Sequence, residues 1–209
     1  MSIQRHTQIE KTLDALHEDA KKDYLRIGKG IVKSAFRPIK PQDFANVYLP
    51  ISRSQGHNLK QLVIDNNCKN IIEFGTSFGI STIYLAAGAQ QTNGKVISTE
   101  LIASKADRAQ KNINDAGVQD FVNIKIGDAM ETLKTNSDPI DFLFLDGWKD
   151  LYLPLFQMLE TNFHKGTIIY ADNMDMRGTE AYANYILGKK ENYSTQSVDE
   201  GKGFLTIAR

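Results

Sequence analysis

Apolar positions fall three and four apart near the start of the chain: Ile9, Leu13, Leu16 and Ala20, continued by Tyr24 and Ile27. That spacing predicts an amphipathic helix over about 7–28, its stripe packed on the main body or on a second copy in a homodimer. Residues 37–58 carry Pro38, Pro41, Pro50 and Gly56 with little periodicity, and read as a connection long enough to serve as a lid. From residue 59 the rhythm changes. Helical stretches at 59–66, 81–90, 103–116, 129–135, 152–162 and 181–187 alternate with apolar runs at 70–75, 95–101, 121–128, 140–146 and 166–173, and KGFLTIAR forms a last strand. Strands alternating with helices predict an α/β fold with a mostly parallel sheet. The chain reads as one structural unit overall, with N-terminal helices and a lid-like connection (1–50) ahead of a main domain (51–209).

Composition narrows the classes. The 25 basic residues equal the 25 acidic ones, so no excess of positive charge is available for nucleic-acid phosphates. Lysine clusters near Lys21 and Lys29 read as solvated helix faces. The single cysteine, Cys68, can form neither an internal disulfide nor a cysteine zinc site and reads as a buried thiol. No signal-peptide pattern or spanning run appears, so the expectation is a cytoplasmic protein without a membrane partner.

In parallel sheets ligands gather past the carboxyl ends of the strands, and chemically distinctive residues stand there. The first strand ends in Glu73-Phe-Gly75-Thr-Ser-Phe-Gly79. Its spacing is not G-x-G-x-x-G, which argues against a dinucleotide dehydrogenase, and Glu73 would repel a pyrophosphate but suits an ammonium; an ordinary glycine turn is the plain alternative. Glu100, one strand–helix–strand step later, stands where a carboxylate takes ribose hydroxyls, or is a surface glutamate. Asp128 either accepts from a base amine or caps the helix beginning at Ala129. Asp146 and the pair Asp172-Asn173 end two further strands. If those strands are neighbours, three hard oxygen donors suit Mg²⁺; otherwise the two aspartates cap helices or turns.

Four stretches carry a resemblance. E-F-G-T-S-F-G-I-S resembles the first motif of class I S-adenosylmethionine-dependent methyltransferases. F-L-F-L-D-G-W-K-D-L-Y-L-P with G-T-I-I-Y-A-D-N resembles the metal-binding core of catechol O-methyltransferase, and I-S-R-S-Q-G-H-N-L resembles the segment before the first motif in its bacterial relatives. The resemblance implies a Rossmann-like, doubly wound, seven-stranded sheet with helices on both faces and extra N-terminal helices. It implies S-adenosylmethionine and Mg²⁺ as cofactors and a small catechol-like or phenolic hydroxyl acceptor. Glu73, Gly75 and Ser81, with Ser52 and Gln55 in the 51–56 segment, would hold the methionine portion. Glu100 would take the ribose, Asp128 and Ala129 the adenine. Asp146, beside the cofactor, would bind the metal with Asp172 and Asn173. Lys149 would be the general base and Trp148 a wall of the acceptor site; Lys149 also reads as a surface lysine paired with Asp146 or Asp150.

The chemistry is consistent with those roles. A phenol, pKa about 10, is a poor nucleophile at neutral pH until ionised, and a cation on its oxygen favours ionisation. Where catechol O-methyltransferase carries a histidine after the strand-four aspartate, this chain has Gly147. That enzyme's late glutamate has no clear counterpart here. Glu191, Asp199 and Glu200 are the nearby acids, and Tyr193 falls at about its place. Two other functions fit the same fold: a nucleic-acid methyltransferase, disfavoured by the absent (N/D)PP(Y/F) motif and the neutral charge, and a non-catalytic cofactor-binding protein.

Overall fold

The structure, a computed structural model, describes residues 3–23 and 41–209. The expected helical continuation through Tyr24 and Ile27, the cluster at Lys29 and the first residues of the expected connection, 37–40, lie outside the described residues. Among the described residues no helix is long and apolar enough to cross a membrane.

Among the described residues seven strands form one sheet: β1 (Asn70–Phe74), β2 (Lys95–Glu100), β3 (Val122–Ile126), β4 (Ile140–Leu145), β5 (Phe163–Ala171), β6 (Tyr193–Val198) and β7 (Gly203–Ala208). Their order is β3-β2-β1-β4-β5-β7-β6. The first five are parallel, and β7 runs antiparallel to both β5 and β6. Six strands were expected from apolar pattern. The seventh, β6, is an edge strand of sequence YSTQSV whose side chains are mostly outside the core, so it carries no apolar run.

Helices α1 (Ile3–Ala20), α2 (Arg53–Asp65), α3 (Ile80–Thr92), α4 (Ala103–Asp115), α5 (Ala129–Thr132), α6 (Tyr152–Leu159) and α7 (Glu180–Gly188) cover the sheet. Strand side chains alternate between two faces. Ile71, Phe142, Phe144, Ile168 and Tyr170 pack under α1 to α4. Their neighbours Ile72, Leu143, Leu145, Ile169 and Ala171 pack under α5 to α7. Phe142 to Leu145 are fully buried, each worth ~1.5–3 kcal/mol of transfer free energy. That explains an apolar run without alternation in β4. The α1 stripe of Ile9, Leu13, Leu16 and Ala20 is buried in the first of these clusters, and Arg53 pairs with Asp14 at 2.8 Å to tie α2 to α1.

The helix expected at 59–66 begins earlier, at Arg53. Ser52 accepts from the Gln55 N–H at 3.1 Å, and the Gln55 side chain accepts from the Ser52 N–H at 3.0 Å, a reciprocal capping box. Gly56 does not break the helix; a Cβ there would lie 2.2 Å from the Tyr84 ring, so the glycine admits α3 at close range. β5 likewise begins at Phe163, three residues before Gly166. Cys68 is buried, and burial pushes its thiol up to about 12, as expected of a structural cysteine.

Candidate active site

The sheet order reverses direction between β1 and β4, and a cavity of about 1080 Å³ opens past the carboxyl ends of those strands. Register aligns its parts. Phe74 lies opposite Thr99 of β2 and Leu145 of β4, and Leu145 opposite Ala171 of β5. The next residue on each strand therefore reaches one rim, which holds Gly75, Glu100, Asp146 and Asp172. Gly75 has φ +107°, and a Cβ on it would lie 2.8 Å from the Asp146 carbonyl oxygen. Only glycine lets the first turn pass so close to the fourth.

Ser52, Gln55, Gly75, Ser81, Glu100, Asp128, Ala129, Asp146, Trp148, Lys149, Asp172 and Asn173 all line the cavity. Glu73 does not. It is fully buried beneath the wall, its Oε2 accepting from Thr82 and Ser98 hydroxyls at 2.5 Å each. Burial pushes its carboxyl up, opposed by the Ser81, Ser98 and Thr82 hydroxyls. Glu73, expected to hold the methionine portion, stands beneath the cavity wall, where it ties α3 to β2.

Glu100 is almost buried, and both its oxygens are aimed by backbone. Oε2 accepts from the Ser77 N–H at 2.8 Å and Oε1 from the Ile102 N–H at 2.9 Å. Each oxygen keeps a lone pair for a ligand hydroxyl. Asp128 does cap α5, accepting from the Met130 N–H at 2.9 Å, and lines the cavity as well.

At the other end of the rim the Lys149 ammonium donates to Asp146 Oδ1 at 3.3 Å and to Tyr152 Oη at 2.7 Å. Tyr152 in turn donates to the Asp172 carbonyl at 3.0 Å. Burial pushes the Asp146 carboxyl up to about 7; the Lys149 ammonium opposes the shift and the Asp172 carboxylate adds to it. Burial also raises Asp172, against the Asn173 N–H and Lys149. Two neighbouring carboxylates, one of which raises the other, are a pair that a cation would relieve. Asn173 sits at φ +55°, a left-handed conformation asparagine tolerates, beside them on the cavity wall. Among the described residues no group of three or more His, Cys, Asp or Glu gathers; the oxygen set here is two carboxylates and an amide, which suits Mg²⁺ rather than zinc.

Four exposed apolar side chains, Leu49, Leu101, Trp148 and Met176, stand on the cavity wall. Gly147 has no room for a side chain, because the Phe74 ring lies 2.5 Å from where its Cβ would be. Of the late acids, Asp199 is the one tied to the site, through Tyr170 and Gln55. Tyr193 is buried against Glu160 at 2.7 Å.

Two lining or bracing residues escaped the sequence reading. Lys105 is buried on the wall beside Glu100, donating to Ser77 Oγ at 3.3 Å and lying 5.3 Å over the Phe78 ring. Its signal was a lysine among Ala106 and Ala109 on the buried side of α4. Tyr152 follows Lys149 by three residues, one turn apart at the start of α6.

A sequence model described as O-methyltransferase matches residues 38–188. The chain belongs to this O-methyltransferase family. Among curated family relatives, "Catechol O-methyltransferase" of Niastella koreensis is 37% identical over 130 residues, covering 60% of this chain and 58% of that protein. The protein of that name in Mycobacterium tuberculosis is 33% identical over 127 residues, covering 60% and 57%. This chain thus spans little more than half the length of those relatives. A solved O-methyltransferase from Bacillus cereus in complex with SAH superposes with TM-score 0.70 at 24% identity, over 88% of this chain and 90% of that one, a likeness of fold.

Proposed function

We propose that this chain transfers a methyl group from S-adenosylmethionine to a hydroxyl of a small catechol-like or phenolic acceptor, assisted by Mg²⁺. One observation carries the reading: Glu100, with both oxygens aimed by backbone, and the Lys149–Asp146–Asp172 constellation open into the same cavity. On this reading a site for a ribosyl cofactor would adjoin a site for a metal and a base.

Glu100 would hold the ribose hydroxyls, Gly75, Ser81 and Ser52 the amino-acid end, and Asp128 and Ala129 the base. Asp146, Asp172 and Asn173 would hold the cation. When bound, S-adenosylmethionine supplies an electrophilic methyl group and Mg²⁺ a Lewis acid that favours an ionised acceptor hydroxyl. Lys149 Nζ takes that hydroxyl's proton. Tyr152 fixes where Nζ stands, because its hydroxyl is itself anchored on the Asp172 carbonyl. Trp148, Met176 and Leu49 offer apolar surface to an aromatic ring and thin the water around the transfer, whose in-line geometry needs the acceptor oxygen ~3 Å from the methyl carbon.

The test is methyl transfer to a panel of dihydroxy aromatics, with calorimetry for the cofactor. Turnover should require a divalent ion and vanish in EDTA. Binding of the cofactor with metal-independent turnover would refute the role of Asp146, Asp172 and Asn173. No binding at all would refute the reading as a whole.

A further inference from the structure

The capping-box glutamine has more contacts than a cap needs. Gln55 Oε1 accepts from the Ser52 N–H at 3.0 Å, while Nε2 donates to Asp172 Oδ1 at 3.2 Å and to Asp199 Oδ2 at 3.4 Å. The amide cannot be flipped: one side faces a donor only, the other two acceptors only. Asp199 is held in turn by the Tyr170 hydroxyl. It sits at the start of the turn joining β6 to β7, so α2, β5 and that turn meet at one side chain.

The consequence falls on Asp172. Its Oδ1 accepts from both Gln55 Nε2 and the Asn173 N–H, at 3.2 and 2.8 Å, which uses that oxygen's two lone pairs. Among the described residues Oδ2 has no such partner. From this juxtaposition we infer that Gln55 is a positioning residue that makes Asp172 a one-oxygen ligand and so sets which divalent ion the site prefers. The inference rests on the metal reading above. A small octahedral ion accepts single carboxylate oxygens and keeps its waters. A larger ion such as Ca²⁺ gains from carboxylates free to bind through both oxygens. Releasing Oδ1 should therefore cost Mg²⁺ affinity while leaving Ca²⁺ affinity equal or better. Residues that orient metal ligands typically change affinity by ~10- to 100-fold when removed.

The experiment is calorimetric titration of the full chain with MgCl₂, MnCl₂ and CaCl₂, comparing the parent with Gln55→Met, which keeps the bulk and loses the donor. The expected result is about a tenfold loss for Mg²⁺ and Mn²⁺ with Ca²⁺ unchanged or tighter, so that Mg²⁺/Ca²⁺ discrimination narrows. A purely structural effect of the damaged cap would lower all three together, and that outcome overturns the inference, as does unchanged discrimination. Gln55→Leu distinguishes the amide from the thioether: it must narrow discrimination as Gln55→Met does. A parent chain that binds none of the ions overturns the metal reading and this inference with it; a parent that binds them beside an indifferent Gln55→Met overturns this inference alone.

Discussion

Replacing Gly75 by alanine tests how the turn after β1 is locked to the turn after β4. The added Cβ would meet Asp146 O at 2.8 Å, Asp146 C at 2.9 Å and Gly147 Cα at 2.9 Å, all backbone atoms that no rotamer change can move aside. Neither strand can retreat easily. The Gly75 N–H is bonded to Thr99 O at 3.2 Å and the Asp146 N–H to Phe74 O at 3.0 Å. A positive φ on a residue with a Cβ costs ~1–2 kcal/mol, and overpacking a rigid contact ~1–3 kcal/mol, for a total of ~2–5 kcal/mol. In a domain of this size each kcal/mol lowers Tm by ~2–4 °C. Thermal unfolding followed by circular dichroism should then show a drop of ~4–20 °C. Gly79→Ala is the control. It has φ +87°, but its nearest neighbour would be a methyl carbon at 3.4 Å, so strain acts alone and the drop should be the smaller of the two. A Gly75→Ala chain within ~2 °C of the parent, or one less affected than Gly79→Ala, would refute the idea that the two turns are pinned against each other.

Other outcomes follow from the same geometry. Lys149→Met should lower kcat by ~10²–10⁴-fold, the scale of a lost general base, while calorimetric affinity for S-adenosylmethionine changes little. If Glu100 holds the ribose as proposed, Glu100→Gln should raise the cofactor's Kd and leave the divalent-ion Kd unchanged in the same calorimeter. The exposed His164–Asp141 pair, 2.9 Å apart, should give stability a mild pH dependence. The Lys165 carbonyl and Asp141 raise His164, so its contribution is full below ~6.5 and is lost as pH climbs through the raised value. Burial pushes Asp141 up, but the Asn70 and Lys69 N–H groups and His164 outweigh it and hold it low, so its contribution is present above ~3.9 and is lost as pH falls through the lowered value. The unfolding free energy from urea titrations should therefore decline slightly from about pH 6 to pH 8, by under ~1 kcal/mol at this exposure, and His164→Gln should flatten that decline.

The sequence showed most plainly where side chains meet the core. The run Phe142 to Leu145 announced a strand buried on both faces, and its abrupt end at Asp146 announced the rim. β6 was silent because an edge strand of Ser, Thr and Gln has no buried face to declare itself. The start of α2 was written in the Ser52–Gln55 pair, yet Gly56 masked it; that glycine answers to Tyr84, a residue in another helix, which local pattern does not display. The site residues were legible as a set because strand ends converge by topology. Their division of labour was not. Glu73 lies two residues before the turn and points under the wall, and Gln55 looks across to Asp172 and Asp199 rather than serving only the helix whose first turn it occupies.

The sheet order has a consequence in time. β7 follows β6 in the chain yet lies inside it, between β5 and β6. During synthesis β6 emerges with no partner in place and must wait until Gly203–Ala208 can slot between it and the finished part of the sheet. Asp199 and Lys202, whose carbonyl receives the Met174 N–H at 2.7 Å, arrive with that closure. The parallel half of the rim can thus form while the chain is still growing, whereas the side holding Asp172 and Gln55 is completed only by the last strand to fold in.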